Sequence, residues 1–343
     1  MPSMSAFSGG HISRPSPAGV RSGKWGTFVK GPADAMALVG PELADCERSL
    51  VSLVHTDVAA VPEIAGYLVA AGGKRLRPAL TALGAKAVGF EGPITKLMCV
   101  GELLHLGSLL HDDVVDEGET RRGKPAAHRV YGNAVTVLTG DFCLARAVWL
   151  AAEEGGFAAV KALGQTVTEM AEGEVLQLQH AGDLSSTVEQ YLDVVARKSA
   201  ALIAWCSAAA GWAAENDAYA EALWSFGRGV GIAFQITDDV LDYSDATGKT
   251  PGADLRERKV TLPLLIAMER IEGLRERLEV GPPSDELVRQ LMDEVRRSGA
   301  LDAALDEARG RVQRSLADLL VLPNNAGRQG LEALGRYLVE RAA

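Results

Sequence analysis

The same acidic pentad closes two long apolar stretches of this chain, and few folds can accommodate that arrangement. "DDVVD" occupies residues 112–116 and "DDVLD" residues 238–242. Each follows a run whose apolar residues recur at three- and four-residue spacing, as on a helix, and each gives way to a polar loop containing glycine. Residues four apart share a helix face, so Asp112 pairs with Asp116 and Asp238 with Asp242. Asp113 and Asp239 lie about 100° round the helix. Carboxylates gathered at one place repel each other and raise one another's pKa unless cations intervene. The two helix ends are therefore expected at the same end of a bundle, turned towards one cavity with hard divalent cations. Mg2+ suits that role, because it binds through one or two carboxylates and fills its octahedron with water and phosphate oxygens. One copy alone would read as a solvated helix end; the repeat in matching context argues otherwise.

The rest of the chain also reads as helix. From about residue 34 alanine and leucine dominate, as in "ELADCERSLVSLVHTDVAAV" (42–61), and alternating β-branched strands are almost absent. Breaks are expected at Gly72-Gly73, 89–93, 117–125, Gly155-Gly156, 180–186, 245–254, 280–285 and 322–327. They leave ten or more helices and no linker long enough to divide them. The expected fold is all-α, a single-domain helical bundle around a central cavity, over residues 34–343. Residues 1–33 are rich in Gly, Ser and Pro, lack acids and contain no secretory core. They read as a disordered tail rather than a transit peptide. The most apolar stretch, 199–214, is short of the ~20 residues of a membrane span and reads as a buried helix.

Four cysteines without a C-x-x-C pair give neither a disulfide framework nor a zinc site, and fit a reducing, cytoplasmic compartment. The formal charge of −10 lacks the basic field of a nucleic-acid binder, so the arginines must act locally. They cluster: Lys74, Arg75 and Arg77 in "AGGKRLRP", Arg121 and Arg122 after the first pentad, Lys249 and Lys259 after the second. Guanidinium forks and ammonium groups are the usual partners of phosphate oxygens. Acidic pentads beside such cations in a net-acidic chain point to metal–diphosphate chemistry, in which a departing pyrophosphate is stabilised.

Seven motifs in order then carry a resemblance. They are "GGKRLRP" (72–78), "ELLHLGSLLHDDVVDEGETRRGKP" (102–125), "GDFCLARA" (140–147), "EMAEGEVLQLQ" (169–179), "RKSAALI" (197–203), "AFQITDDVLD" (233–242) and "GKTPGADLRERKVTLP" (248–263). Over about residues 40–343 the chain resembles the trans-isoprenyl diphosphate synthases, or polyprenyl synthetases. The resemblance implies a helical homodimer that condenses isopentenyl diphosphate head-to-tail with an allylic prenyl diphosphate, using three Mg2+ ions per site. It implies Asp112, Asp116 and Asp238 as the main metal ligands with Asp242 beside them, and Asp113 and Asp239 on the acidic rims. Lys74, Arg77, His105 and Arg122 would hold the isopentenyl diphosphate. Arg121, Lys198, Gln235, Lys249 and Lys259 would contact the allylic diphosphate, with Ser199 standing where many relatives carry threonine. The catalytic set is then Asp112, Asp113, Asp116, Arg121, Lys198, Asp238, Asp239 and Lys249. One segment departs from the pattern: relatives often carry glycine where Glu257 or Arg258 stands, which bears on the placement of Lys259.

Product length is expected to be set on the helix before Asp112, where Ser108 and Gly107 lie one turn back and Leu104 and Gly101 further down. Relatives that stop at fifteen or twenty carbons usually carry a bulky aromatic at one of the first two positions. Both are small here, which gives an expected product longer than twenty carbons, six to ten isoprene units. Gly107 and Ser108 would alternatively serve close helix packing, leaving a geranylgeranyl or farnesyl product open. A lipid-like product also implies transient membrane contact. Three rivals fit less well. A terpene cyclase would replace the second pentad and need no isopentenyl clamp. A metallophosphohydrolase would need further histidines around His111-Asp112, and a noncatalytic prenyltransferase subunit would carry degraded pentads. Glu169, Glu172 and Glu174 read equally as cavity-facing or solvated.

Overall fold

The computed structural model describes residues 29–69, 73–121, 123–244, 251–281 and 283–341. Gly72, Arg122, Lys249 and most of the expected tail lie outside them. Among the described residues are seventeen α-helices, the first of which, Pro32–Leu38, starts just before the expected tail boundary. Among the described residues the strands are confined to a hairpin in the loop after the first pentad, Thr120–Arg121 against Lys124–Pro125. Gly123 makes its turn at φ +76°, where glycine meets no steric penalty.

The apolar 199–214 stretch forms the centre of the molecule. In the helix Ala201–Ala213 every residue from Ala201 to Gly211 is buried, and its alanines let neighbours approach from all sides. The helix Asp217–Leu241 packs along it and in turn along Ala300–Asp318; Leu76–Val88 and Gly156–Gln179 cover other faces. A single hydrophobic core runs through these elements. Asn216 caps the start of Asp217–Leu241 by accepting from the Tyr219 backbone N–H at 3.0 Å, and twenty-five residues later that helix ends at the second pentad.

The helix Thr95–Val115, which ends at the first pentad, packs along Asn133–Glu154. The two meet backbone to backbone at Gly107 and Gly140. A Cβ on Gly107 would lie 2.9 Å from the Gly140 carbonyl oxygen, closer than real Cβ contacts allow. The small size of Gly107 thus serves close helix packing, the alternative its sequence position left open. Asn133–Glu154 itself is covered on one side only. Val135, Leu138, Val148 and Trp149 remain 38–65% exposed along one face, and the Arg146 guanidinium lies 5.2 Å from the Phe142 ring centroid and 5.0 Å from that of Trp149.

Two surface hollows of about 520 and 530 Å3 lie away from the pentads, one lined by Trp224, Arg228, Arg314 and Asp318, the other by Val175, Leu176, Asp193 and Arg197. At the pentads, cationic side chains close onto the carboxylates.

Candidate active site

Both pentads end their helices alike. The Asp116 backbone N–H donates to the Asp112 carbonyl at 2.8 Å and the Asp242 N–H to the Asp238 carbonyl at 3.2 Å, so each i, i+4 pair stays on one face. In each pentad the second aspartate turns inward: Asp113 and Asp239 are each 2% exposed. Arg121, on the hairpin, pairs with Asp113 Oδ1. Asp113 Oδ2 is buried without a partner among the described residues. Asp239 is saturated: Tyr191 donates its hydroxyl to Oδ2 at 2.7 Å, Gln235 Nε2 donates to Oδ1 at 2.9 Å, and Lys259 Nζ lies 3.3 Å from Oδ1. Asp113 and Asp239 therefore organise the protein's own cations.

One short segment joins the two halves. Ala196–Ala200 is a π-helical turn, wider than an α turn and frequent at functional sites. It is gripped by two glycines: a Cβ on Gly173 would lie 2.5 Å from the Lys198 backbone nitrogen, and one on Gly231 2.7 Å from Ala200 Cα. Consecutive residues of this turn serve different pentads. Lys198 Nζ lies 2.5 Å from Glu174 Oε2 and exerts its charge on Asp112. Ser199 donates its hydroxyl to Gln235 Oε1 at 2.9 Å, and Gln235 passes the chain on to Asp239. The expected residues Asp112, Lys198, Ser199, Gln235, Asp239 and Lys259 are thus brought together. Burial pushes the Asp112 carboxyl up to about 6, against the pull of Lys198 and helped by Glu174 and Asp116.

Lys259 is placed firmly despite the departure at Glu257-Arg258. Its Nζ lies between Asp239 and Asp254, at 3.3 and 3.4 Å. Burial alone would lower its pKa, but those two carboxylates outweigh burial and hold the ammonium above its ordinary range. Asp254, pushed up to about 7 by burial, donates its backbone N–H to Asp242 Oδ2 at 3.0 Å. Burial also raises Asp242 itself.

Three contributors escaped the sequence reading. Arg341 Nη2 lies 2.5 Å from Asp238 Oδ1 while its guanidinium covers the Phe234 ring at 4.5 Å. Tyr191 holds Asp239. Glu174, left open between cavity and solvent, is the partner of Lys198. No local spacing connects Arg341 to a residue 103 positions earlier.

The expected isopentenyl clamp is partly assembled. Arg77 packs beside Gly101, one turn below His105, and its Nε is buried without a partner among the described residues. Lys74 is exposed just before the helix Leu76–Val88. Arg75 is diverted from the site, at φ +49° and paired with Glu102 at 2.7 Å and Glu47 at 3.1 Å. Of the length-setting positions, Leu104 is buried, and half-buried Ser108 donates its hydroxyl to the His105 carbonyl at 2.9 Å. His111 turns towards the Asn133–Glu154 helix, with Nε2 3.1 Å from the Val137 carbonyl and 3.3 Å from Asp141.

Among the described residues no three His, Cys, Asp or Glu side chains form a ready-made metal cage. The donors present are hard carboxylate oxygens on two helix ends joined through the Ala196–Ala200 turn, with Asp112 and Asp242 raised by burial. Such a set fits divalent ions that complete their coordination with phosphate oxygen rather than ions held by protein alone.

A polyprenyl synthetase family model matches residues 58–295. Octaprenyl diphosphate synthase of Escherichia coli K12 is 36% identical over 317 residues, covering 89% of this chain and 97% of that protein. Among solved structures, a polyprenyl synthase of Caulobacter crescentus CB15 complexed with calcium and isoprenyl diphosphate is 39% identical, with TM-score 0.86 over 92% of this chain and 100% of that one. A decaprenyl diphosphate synthase of Rhodobacter capsulatus is 35% identical, with TM-score 0.84 over 91% and 99%. With both aspartate motifs and their cation partners in place, the chain belongs to the polyprenyl synthetase family and is a prenyltransferase.

Proposed function

We propose that this site joins isopentenyl diphosphate head-to-tail to an allylic prenyl diphosphate and releases pyrophosphate, giving chains of six to ten isoprene units. The observation that carries this reading is the π turn, whose adjacent residues Lys198 and Ser199 tie the two pentads into one anionic-and-cationic frame. Asp112 and Asp116 on one helix end, and Asp238 and Asp242 on the other, would hold Mg2+, three ions in all, which supplies Lewis-acid pull on the leaving diphosphate. Arg121, Lys198, Lys249 and Lys259 neutralise the same leaving group, with Gln235 and Ser199 orienting it. Lys74, Arg77, His105 and Arg122 hold the isopentenyl diphosphate so that its double bond faces the allylic carbon. The allylic C–O bond breaks, C4 of the isopentenyl double bond forms the new C–C bond, and the cation left at C3 is quenched by loss of a proton from C2. The departing pyrophosphate takes that proton.

Relatives named for eight- and ten-unit products support the length. Gly107, Ser108 and Leu104 carry the length argument, with Gly107 also packed against Gly140. The exposed stripe of Val135, Leu138, Val148 and Trp149 supports a homodimer formed along Asn133–Glu154. Four buried free thiols support a reducing, cytoplasmic setting. Mixing isopentenyl diphosphate with a farnesyl primer and Mg2+ should release pyrophosphate and give products above twenty carbons on chromatographic sizing, and Ser108→Phe should shorten them. No release with any primer would favour a noncatalytic subunit. Arrest of the wild type at fifteen or twenty carbons would remove the length assignment.

A further inference from the structure

We propose that Arg258 is a positioning residue that braces the loop 180–186 against the segment carrying Lys259, and so fixes the spacing of the two lysines that flank the pentads. Arg258 sits at φ +53°, a conformation that a side chain with a Cβ rarely adopts. The bend has a clear use. It turns the chain so that the Lys259 backbone N–H donates to the Asp254 carbonyl at 2.8 Å while Lys259 Nζ reaches Asp239 and Asp254. Glycine would make the same bend without strain, so an arginine here needs a compensating contact.

That contact lies across the site. The guanidinium of Arg258 packs against Gly182: a Cβ built there would lie 3.7 Å from Cζ and Nη1 and 4.0 Å from Nε. Arg258 Nε is shielded from solvent without a hydrogen-bond partner among the described residues, so shape rather than hydrogen bonding at Nε holds the side chain there. The loop it meets is otherwise ordered by its own bonds: Asp183 accepts from the Ser185 backbone at 2.9 Å, and Arg275 donates to the Leu184 carbonyl. It follows the helix Gly156–Gln179, whose Glu174 holds Lys198. Arg258 therefore closes a ring. From Lys198 the links run through Glu174 and its helix to Gly182, then Arg258, Lys259, Asp239, Gln235 and Ser199, which adjoins Lys198. Opening the ring at Arg258 removes one of its two routes, so the Lys259 arm stays tied to the Lys198 arm only through Ser199, Gln235 and Asp239.

The effect on catalysis rests on the prenyl-transfer reading; the brace itself does not. Arg258→Gly keeps the bend, relieves its strain and deletes the brace, so the variant should fold. Hydrogen exchange of the substrate-free protein should show amides of 182–186 opening about tenfold faster, with Asp217–Leu241 unchanged. KM for the allylic diphosphate should rise about three- to tenfold with kcat within about twofold, because bound substrate restores an order the free site has lost. Arg258→Lys, which keeps length and charge, should recover part of both effects. Wild-type exchange in the 182–186 loop of Arg258→Gly overturns the brace, whatever the activity of the enzyme. Faster exchange with unchanged KM in an active enzyme overturns the positioning role.

Discussion

Asp112 is kept partly out of water beside Glu174 and Asp116, and its carboxyl rises to about 6 although Lys198 opposes the shift. The folded value then exceeds the ordinary 3.8 that holds in the unfolded chain. A carboxyl raised in this way favours the folded state while protonated and works against it once ionised. Stability measured in the presence of a chelator should therefore fall as pH rises from about 4 to about 6. Asp112→Asn should flatten that segment and unfold at a higher temperature than the wild type at pH 7, yet lose about 10²–10³-fold in kcat. Thermal denaturation across pH in chelator, with pyrophosphate release as the activity readout, checks both halves. An Asn variant less stable than the wild type at pH 7 would show that the ionised carboxylate contributes to the fold. At this scale the pairing of Asp112 with Asp116 was legible from a spacing of four. The inward turn of Asp113 and Asp239 was not, because the 100° step shows where a residue points but not which neighbour waits there.

Among the elements, the π turn at Ala196–Ala200 decides how the site is wired. Its composition differs in no way from a helix, so the sequence pattern passes straight through it, and resemblance alone assigned Lys198 and Ser199 to one ligand. The turn hands Lys198 to the first pentad and Ser199 to the second, so that a ligand between them would meet both. The glycines that grip it were equally silent in the sequence, since a glycine inside a helix reads only as a weak point. Gly173→Ala would bring a Cβ to within 2.5 Å of the Lys198 backbone nitrogen and push the turn aside. We expect kcat/KM for the allylic substrate to drop about 10²-fold, as for other small displacements of aligned groups, with helix content by circular dichroism unchanged. Wild-type kcat/KM would mean that the turn yields without moving Lys198. The hairpin at Thr120–Pro125 is the opposite case: its Gly123 was visible as a break, but two-residue strands are too short to show alternation.

For the whole molecule, the all-α bundle was legible because alanine and leucine at helical spacing leave little room for strands, and the buried run Ala201–Gly211 behaved as its apolar composition required. What could not be read were contacts made only by the assembled fold, such as Arg341 on Asp238 and Tyr191 on Asp239. The exposed stripe on Asn133–Glu154 belongs to this scale. Leu138, 65% exposed at its centre, should become intolerant of charge if a second copy covers it. Leu138→Glu is expected to convert a dimer to a monomer by light scattering; a wild-type monomer at micromolar concentration would remove the dimer proposal. The Gly107–Gly140 contact bears on how such a protein can diversify. A side chain at position 107 would meet the Gly140 carbonyl, so a relative that carries a bulky residue there must hold these two helices further apart. At that position product size and helix spacing can only be inherited together.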